Sequence, residues 1–373
     1  MAAPDPDPDV LDDARLNRAL LARQLLLARS DLTAVEAVEH LVGMQAQAPN
    51  PPYVGLWTRL AGFRTPDLAD GVRSREVVRL VLMRGTIHLV SARDCLRLRP
   101  VLAESLERSL SGTFGRKLAG LDLAEVVALG VEILEKESLT LGALGSRLAE
   151  RWPDRDAFAL ANAVRNLTPL VQVPPRGLWG ESGQAAHTTA AAWLGRAPDA
   201  DPDAAAVVER YLAAFGPASV KDMQVWSGMS RLASVVARLG PRLRVFRGVD
   251  GRTLYDLPDA PRPAADTPAP VRFLPDFDNI LLSHADRSRI LTEEQRGHVF
   301  TRNGLIRPTF LVDGRVAGMW SVDRERGAAR LVLRPFAPLA RTVREELAEE
   351  GGRLLSFAAA DSTSAEVVFD GRP

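Results

Sequence analysis

The chain has 373 residues, 46% of them hydrophobic and 25% charged, which is enough for a real core and for two or three domains. Its 47 basic residues balance 47 acidic ones, so net charge singles out no partner, and any face that binds nucleic acid must be local. The single cysteine, Cys95, excludes an internal disulfide and a multi-cysteine metal site, and no apolar run reaches the length of a membrane span.

The start, "MAAPDPDPDVLDD", is acidic and Pro-rich. It lacks the basic start and apolar centre of a secretory signal and reads as a disordered tail over 1–13 of a cytoplasmic protein. In "ARLNRALLARQLLLARS", Leu16, Leu20, Leu21, Leu25 and Leu27 form a helical stripe, with Arg15, Arg18 and Arg23 elsewhere on the cylinder. In "DLTAVEAVEHLVG", Thr33 and Glu36 have capping-box spacing. Val35, Val38, Leu41 and Val42 form the buried face, and Gly43 is a natural stop. "REVVRLVLMRGTIHLV" alternates: Met83, Ile87 and Leu89 point one way, Arg84, Thr86 and His88 the other. A helix from Ala92 to about Leu110 follows, in which Cys95 reads as a buried structural thiol.

From residue 121 the pattern is helix, helix–turn–helix, then a strand, a "PPRG" turn and a return strand at "LWGESG". That order is a winged helix. It recurs in shorter form over 207–257, where "RLRVFRGVDGRTLYDL" is a hairpin turning near Asp250-Gly251. The first part, 14–120, with two helices, a hairpin and a helix, fits a third copy. Stretches rich in Pro, Asp and Ala, 197–206 and 258–270, read as linkers. The last part, 271–373, combines strands around turns at Asp313-Gly314 and Arg326-Gly327 with one amphipathic helix and a closing strand, a small β domain of the sandwich or barrel kind. The fold class is therefore α+β: tandem winged-helix motifs, three in number, followed by a small β-barrel-like domain.

No P-loop, dinucleotide fingerprint, nucleophile elbow or zinc pattern is present. "GMQAQAPNPP" is the most informative stretch. Gly43 ends a helix, and the prolines bias Ala48 and Asn50 to extended geometry. In an extended segment residues two apart share a face, so Gln45 and Gln47 aim their amides in one direction. Capping of orphan carbonyls at the helix end is, from local geometry alone, the simpler reading of the pair. Arg84 and His88 fit a phosphate or sugar contact, or an ordinary solvated face. Arg176, at the tip of the "PPRG" turn, fits a groove contact or a plain turn arginine, and Trp179 beside it reads as core. Asp276 and Asp278 are spaced like a carboxylate pair; pairing with Arg287 and Arg289 is the simpler reading, against metal binding or general-base work.

Taken together, "LNRALLARQLLLAR", "GMQAQAPNPPYVGLWTRL", "MRGTIHLV", "PPRGLWGESG" and "FLPDFDNILLSHADRSRIL" resemble the AlkZ/YcaQ family of bacterial DNA glycosylases, from about Leu16 to the last strand. The resemblance implies three winged helices and a β-barrel-like domain forming a concave DNA-binding surface. It also implies catalysis by a Gln-hydrophobic-Gln motif, here Gln45-Ala46-Gln47. The family activity is excision of alkylated bases, including bulky guanine adducts and interstrand crosslinks, in some members as self-protection against a DNA-alkylating natural product. On that basis His284, Arg287 and Arg289 fall in a segment that meets DNA. The expectation is a monofunctional glycosylase without metal or organic cofactor, acting as a monomer on double-stranded DNA containing cationic N7- or N3-alkylpurines, in which two amide oxygens place a water and favour the sugar cation. The alternative is a winged-helix regulator without chemistry.

Overall fold

A computed structural model describes residues 9–325 and 327–371. Residues 1–8 of the expected tail, and Arg326 of the expected turn, lie outside them. The fold is α+β, with three sheets among the described residues.

Local sequence signals act where expected. Thr33 caps the helix Ala34–His40 reciprocally with Glu36, its Oγ1 accepting from Glu36 N at 3.3 Å while its own N–H donates to Glu36 Oε2 at 2.9 Å. The chain then turns out of the helix at Gly43, whose φ is +88°. A Cβ there would also sit 2.7 Å from Val90 Cγ1, so only glycine satisfies both the turn and the packing.

The largest sheet has six strands in the order Met44–Gln45, Ile87–Ser91, Val77–Val81, Leu170–Gln172, Ala186–Thr189, Leu139–Thr140, every pairing antiparallel. It joins the hairpins of the first two expected units through the register Arg79↔Gln172 and Leu80↔Val171. The alternating run around Arg84 is two strands and not one. Arg84 and Gly85 both take positive φ and reverse the chain, and Val77–Val81 is buried on both faces. The expected helix after Ala92 is likewise two, Ala92–Val101 and Ala103–Leu118, with Pro100 in the last turn of the first.

A second sheet pairs the hairpin Arg244–Gly248 and Thr253–Asp256 with Val10–Leu11, which runs parallel to Arg247–Gly248. Residues 9–13 are therefore ordered, in contrast to the expected tail. Leu11 buries against Leu16, Phe246 and Leu254, and Asp12 caps the next helix. The helix Asp13–Arg23 buries two arginines with its leucines. Arg23 forks onto Asp256 at 2.6 and 2.8 Å and reaches Pro261 O; Arg18 donates to Thr267 O at 2.6 Å. The expected linker over 258–270 is thus strapped onto the first helix.

The third sheet runs Arg272–Leu274, Thr309–Val312, Arg315–Glu325, Ala328–Pro335, Ser364–Phe369. The first three pairings are antiparallel and the last is parallel. The crossover helix Arg341–Ala358 covers one face with Leu347, Leu354 and Leu355. Among the described residues both outer strands remain unpaired edges, so the expected barrel-like domain is an open sheet with no closed barrel. The parallel last pairing places Ser364–Phe369 on the edge opposite Arg272–Leu274, which leaves no closing pair. Cys95 is buried, and burial pushes its thiol up to about 12. No helix among the described residues is long and apolar enough to cross a membrane.

Candidate functional site

Gln45 and Gln47 lie in the extended segment between Gly43 and the helix Pro51–Trp57. Gln45 pairs in register with His88, and Ala46 N donates to Ile87 O at 2.8 Å. The next ladder bond is made by a side chain: Ile87 N donates to Gln47 Oε1 at 2.8 Å. The carbonyl of Ala46, which regular pairing would offer to Ile87, turns instead to Arg79 Nη2 at 2.7 Å. Gln47 remains exposed, whereas Gln45 is 7% exposed and its Oε1 accepts from Arg84 Nη2 at 2.9 Å.

Both partners are unambiguous donors, so the orientation of each amide is determined and not a matter of choice. The two amide oxygens expected to place a water and favour the sugar cation are thus not free of protein partners. Each oxygen already accepts one protein hydrogen bond and keeps one lone pair. Among the described residues Gln45 Nε2 donates to no protein acceptor, and the atom is not fully buried, so solvent reaches Gln45 at its amino end.

Arg84 sits in the turn Met83–Gly85 with φ +57°. Its Nη1 donates to Trp226 O, and its Nη2 also faces His88 Nε2 at 3.4 Å. His88 is 2% exposed, with Nδ1 at 3.1 Å from Thr86 O. A carbonyl only accepts, so Nδ1 carries the proton and Nε2 presents a lone pair to Arg84. Burial, reinforced by the Arg84 charge, pushes the imidazole down to about 3, and it is neutral at physiological pH. Burial and then the charge of Arg287 bring Arg84 down to about 10, which leaves it cationic.

Arg79 lies beneath the same segment. Besides Ala46 O it reaches Ala48 O at 3.4 Å and Gln172 Oε1 at 3.1 Å. The "PPRG" turn packs over it, where a Cβ on Gly177 would come within 2.6 Å of Arg79 Cδ. Burial, with a smaller contribution from Arg176, lowers Arg79 to about 10. Arg176 is half-buried and donates to Gly183 O at 3.0 Å. Trp179 packs on Tyr53 and Phe357, as a core residue should. Sequence reasoning passed over Arg79, yet a lone arginine inside the apolar run "VVRLVL" was its signal: such a residue is buried only with a dedicated set of acceptors.

The C-terminal domain supports the segment from the other side. Asn279 Nδ2 donates to Gly43 O at 2.8 Å. Asp278 is completely buried and takes Arg59 on both oxygens at 2.8 Å. The expected partners Arg287 and Arg289 are engaged elsewhere, because a guanidinium already inside the core lies beside Asp278. Arg287 donates to Leu281 O at 2.7 Å and lies over the Phe300 ring; Arg289 donates to Pro217 O at 3.0 Å. Asp276 has no ion-pair partner among the described residues, and burial raises its carboxyl above the ordinary range.

Of the expected site residues, Gln45, Gln47, Arg84 and His88 converge. The charge of Arg287 is felt at Arg84, and that of Arg176 at Arg79. His284 and Arg289 do not join them at a surface. They are 1% and 3% exposed, and His284 is held by Ser283 Oγ and Phe215 O. A cleft of about 740 Å³ opens beside Arg287, lined by Lys221, Arg252 and Tyr255 among others. No three His, Cys, Asp or Glu side chains among the described residues are grouped to hold a metal.

A family model described as DNA glycosylase AlkZ-like matches residues 38–357. The interstrand DNA cross-link repair glycosylase of Streptomyces sahachiroi is 28% identical over 345 residues, covering 85% of this chain and 88% of that protein. The solved structure of Streptomyces sahachiroi DNA glycosylase AlkZ superposes with a TM-score of 0.79 at 22% identity, over 96% of this chain and 100% of that one. That likeness is one of fold.

Proposed function

The chain belongs to the AlkZ-like family of DNA glycosylases and is a hydrolase of N-glycosyl bonds, and from that premise we propose that it releases cationic N7- or N3-alkylpurines from double-stranded DNA. Bulky guanine adducts and interstrand crosslinks are included, in keeping with the activity for which the Streptomyces relative is named. An alkylated purine cation departs as a neutral base and needs no protonating acid. Water is the nucleophile, and the products are a free base and an abasic site. The enzyme acts as a monomer on DNA in the cytoplasm, with helix-and-hairpin units over 14–120, 121–196 and 207–257 serving as winged helices.

Gln45 and Gln47 are the proposed catalytic groups. The observation that carries this reading is the convergence of both amides on residues 84–88, the end of the turn and the start of the strand after it, each held in one orientation by a protein donor. Gln47, exposed, holds the attacking water on its remaining lone pair. Gln45 directs its amino group to an acceptor atom of the departing base, which becomes a better acceptor as its positive charge disappears. One such preorganised contact is worth about 2.7–4 kcal/mol in the transition state. That suffices for an activated lesion and not for a stable one. Arg176 and Arg287, half-buried cations flanking the motif, are the proposed DNA contacts; the interior positions of His284 and Arg289 suit support of the fold.

Incubation with duplex DNA carrying one N7-methylguanine should give alkali-labile breaks that the Gln45→Ala, Gln47→Ala pair abolishes while the protein stays folded. Release of uracil at a comparable rate would refute the cationic-lesion reading.

A further inference from the structure

Read from sequence, Arg84 is a candidate phosphate contact. Its surroundings assign it other work. One guanidinium meets acceptors from three separate segments: Trp226 O at the end of the helix Val220–Ser227, Gln45 Oε1 at 2.9 Å, and His88 Nε2 at 3.4 Å. His88 can serve as an acceptor only while neutral with its proton on Nδ1, and Thr86 O fixes that tautomer. Gly228, with φ +78°, ends that helix against the turn: a Cβ there would crowd Ser105 Oγ at 2.9 Å and lie in ordinary contact with Arg84 N at 3.4 Å.

A glutamine amide in water turns over freely, because its two ends are nearly the same size. Beside a guanidinium it cannot, since the inverted amide would set donor against donor. The consequence is that the polarity of Gln45, oxygen inward and amino group outward, is decided by Arg84.

We propose that Arg84 is a positioning residue for the reaction, fixing the Gln45 amide with its amino group toward bound DNA, and not a phosphate ligand. This rests on the reading of Gln45 as a catalytic group. The turn that carries Arg84 and the helix that carries Trp226 therefore set the geometry of a side chain on a third segment.

The test uses the full chain as Arg84→Met, Gln45→Ala and the Gln45→Ala, Arg84→Met pair. Release of 7-methylguanine is followed under single-turnover conditions from a duplex carrying one N7-methylguanine, and affinity for undamaged duplex is measured over a salt series. Arg84→Met should lower the saturated rate on the order of 100-fold, with affinity and its salt slope unchanged. The pair should be no slower than Gln45→Ala alone, because the two residues act as one unit. An unchanged saturated rate, with weaker binding and a salt slope reduced by about one, would make Arg84 a phosphate contact and overturn the proposal. Losses that multiply in the pair would overturn it too. If Gln45→Ala itself keeps the native rate, the reading of Gln45 fails, and that result is distinct from a slow Gln45→Ala beside a fully active Arg84→Met. Should Arg84→Met not fold, Arg84→Leu, which likewise has neither donor nor charge, takes its place in the same cycle, and the same two results decide.

Discussion

Replacing Gln45 by glutamate separates the two ends of the amide. The side chain keeps its length, and one carboxylate oxygen can occupy the place from which Gln45 Oε1 accepts from Arg84 at 2.9 Å. A hydrogen bond to a charged group contributes about 1.5–3 kcal/mol against about 1 for a neutral one. That gain offsets the cost of confining a carboxylate at a site only 7% exposed, so stability should change by no more than about 1 kcal/mol. The two outward N–H groups are lost. If one of them holds the departing base, the saturated rate of 7-methylguanine release falls about 100- to 1000-fold. If instead the oxygen were the working atom, the added negative charge would favour the sugar cation, and Gln45→Glu would be as fast as the native chain or faster. The two accounts differ in sign, and thermal melting of the same preparation shows that the fold is intact. A Gln45→Glu rate within threefold of native, with an unchanged melting temperature, would refute the amino-group role.

Other expectations concern stability. His88 and His187 are held by burial at about 3 and about 4, below the ordinary histidine value. The unfolded chain therefore binds more protons; their contribution is complete above about pH 6.5 and is lost as pH falls toward those values. Urea titrations between about pH 6 and 4 should show stability dropping by roughly 1.4 kcal/mol per unit for each of the two, and a flat profile would contradict their burial as neutral groups. Asp276 has the opposite sign: its raised carboxyl contributes stability below the ordinary aspartate range that is lost as pH rises through the raised value. Asp276→Asn should therefore melt higher than the native chain at pH 7, and a lower melting temperature would reveal a partner that favours its charged form. Asp278→Ala strands the buried Arg59 and should cost about 3–5 kcal/mol in urea unfolding. Gly43→Ala combines a positive φ with a Cβ 2.7 Å from Val90 Cγ1. It should cost about 2–4 kcal/mol by the same measurement, with a loss below 1 kcal/mol showing that the turn relaxes.

The sequence by itself determined what lies within one turn of helix or one hairpin. Thr33 and Glu36 cap each other because they are three residues apart, Gly43 stops the helix because it tolerates positive φ, and Asp313-Gly314 turns the chain for the same reason. The ordered set of motifs along the chain also carried the family. Tertiary structure alone decided the partners of the buried charges. Arg59 and Asp278 are 219 residues apart and Arg23 and Asp256 are 233 apart, and nothing local to either member of a pair names the other. For the same reason the sequence left His284 and Arg289 at a surface that packing removed, and separated two hairpins that share one sheet. At the site, spacing put both glutamines in one extended segment. Which end of each amide faces outward depended on two donors, Arg84 Nη2 and Ile87 N, delivered by a neighbouring turn and the strand that follows it. An amide has no polarity of its own along the chain; the donor that meets its oxygen supplies it.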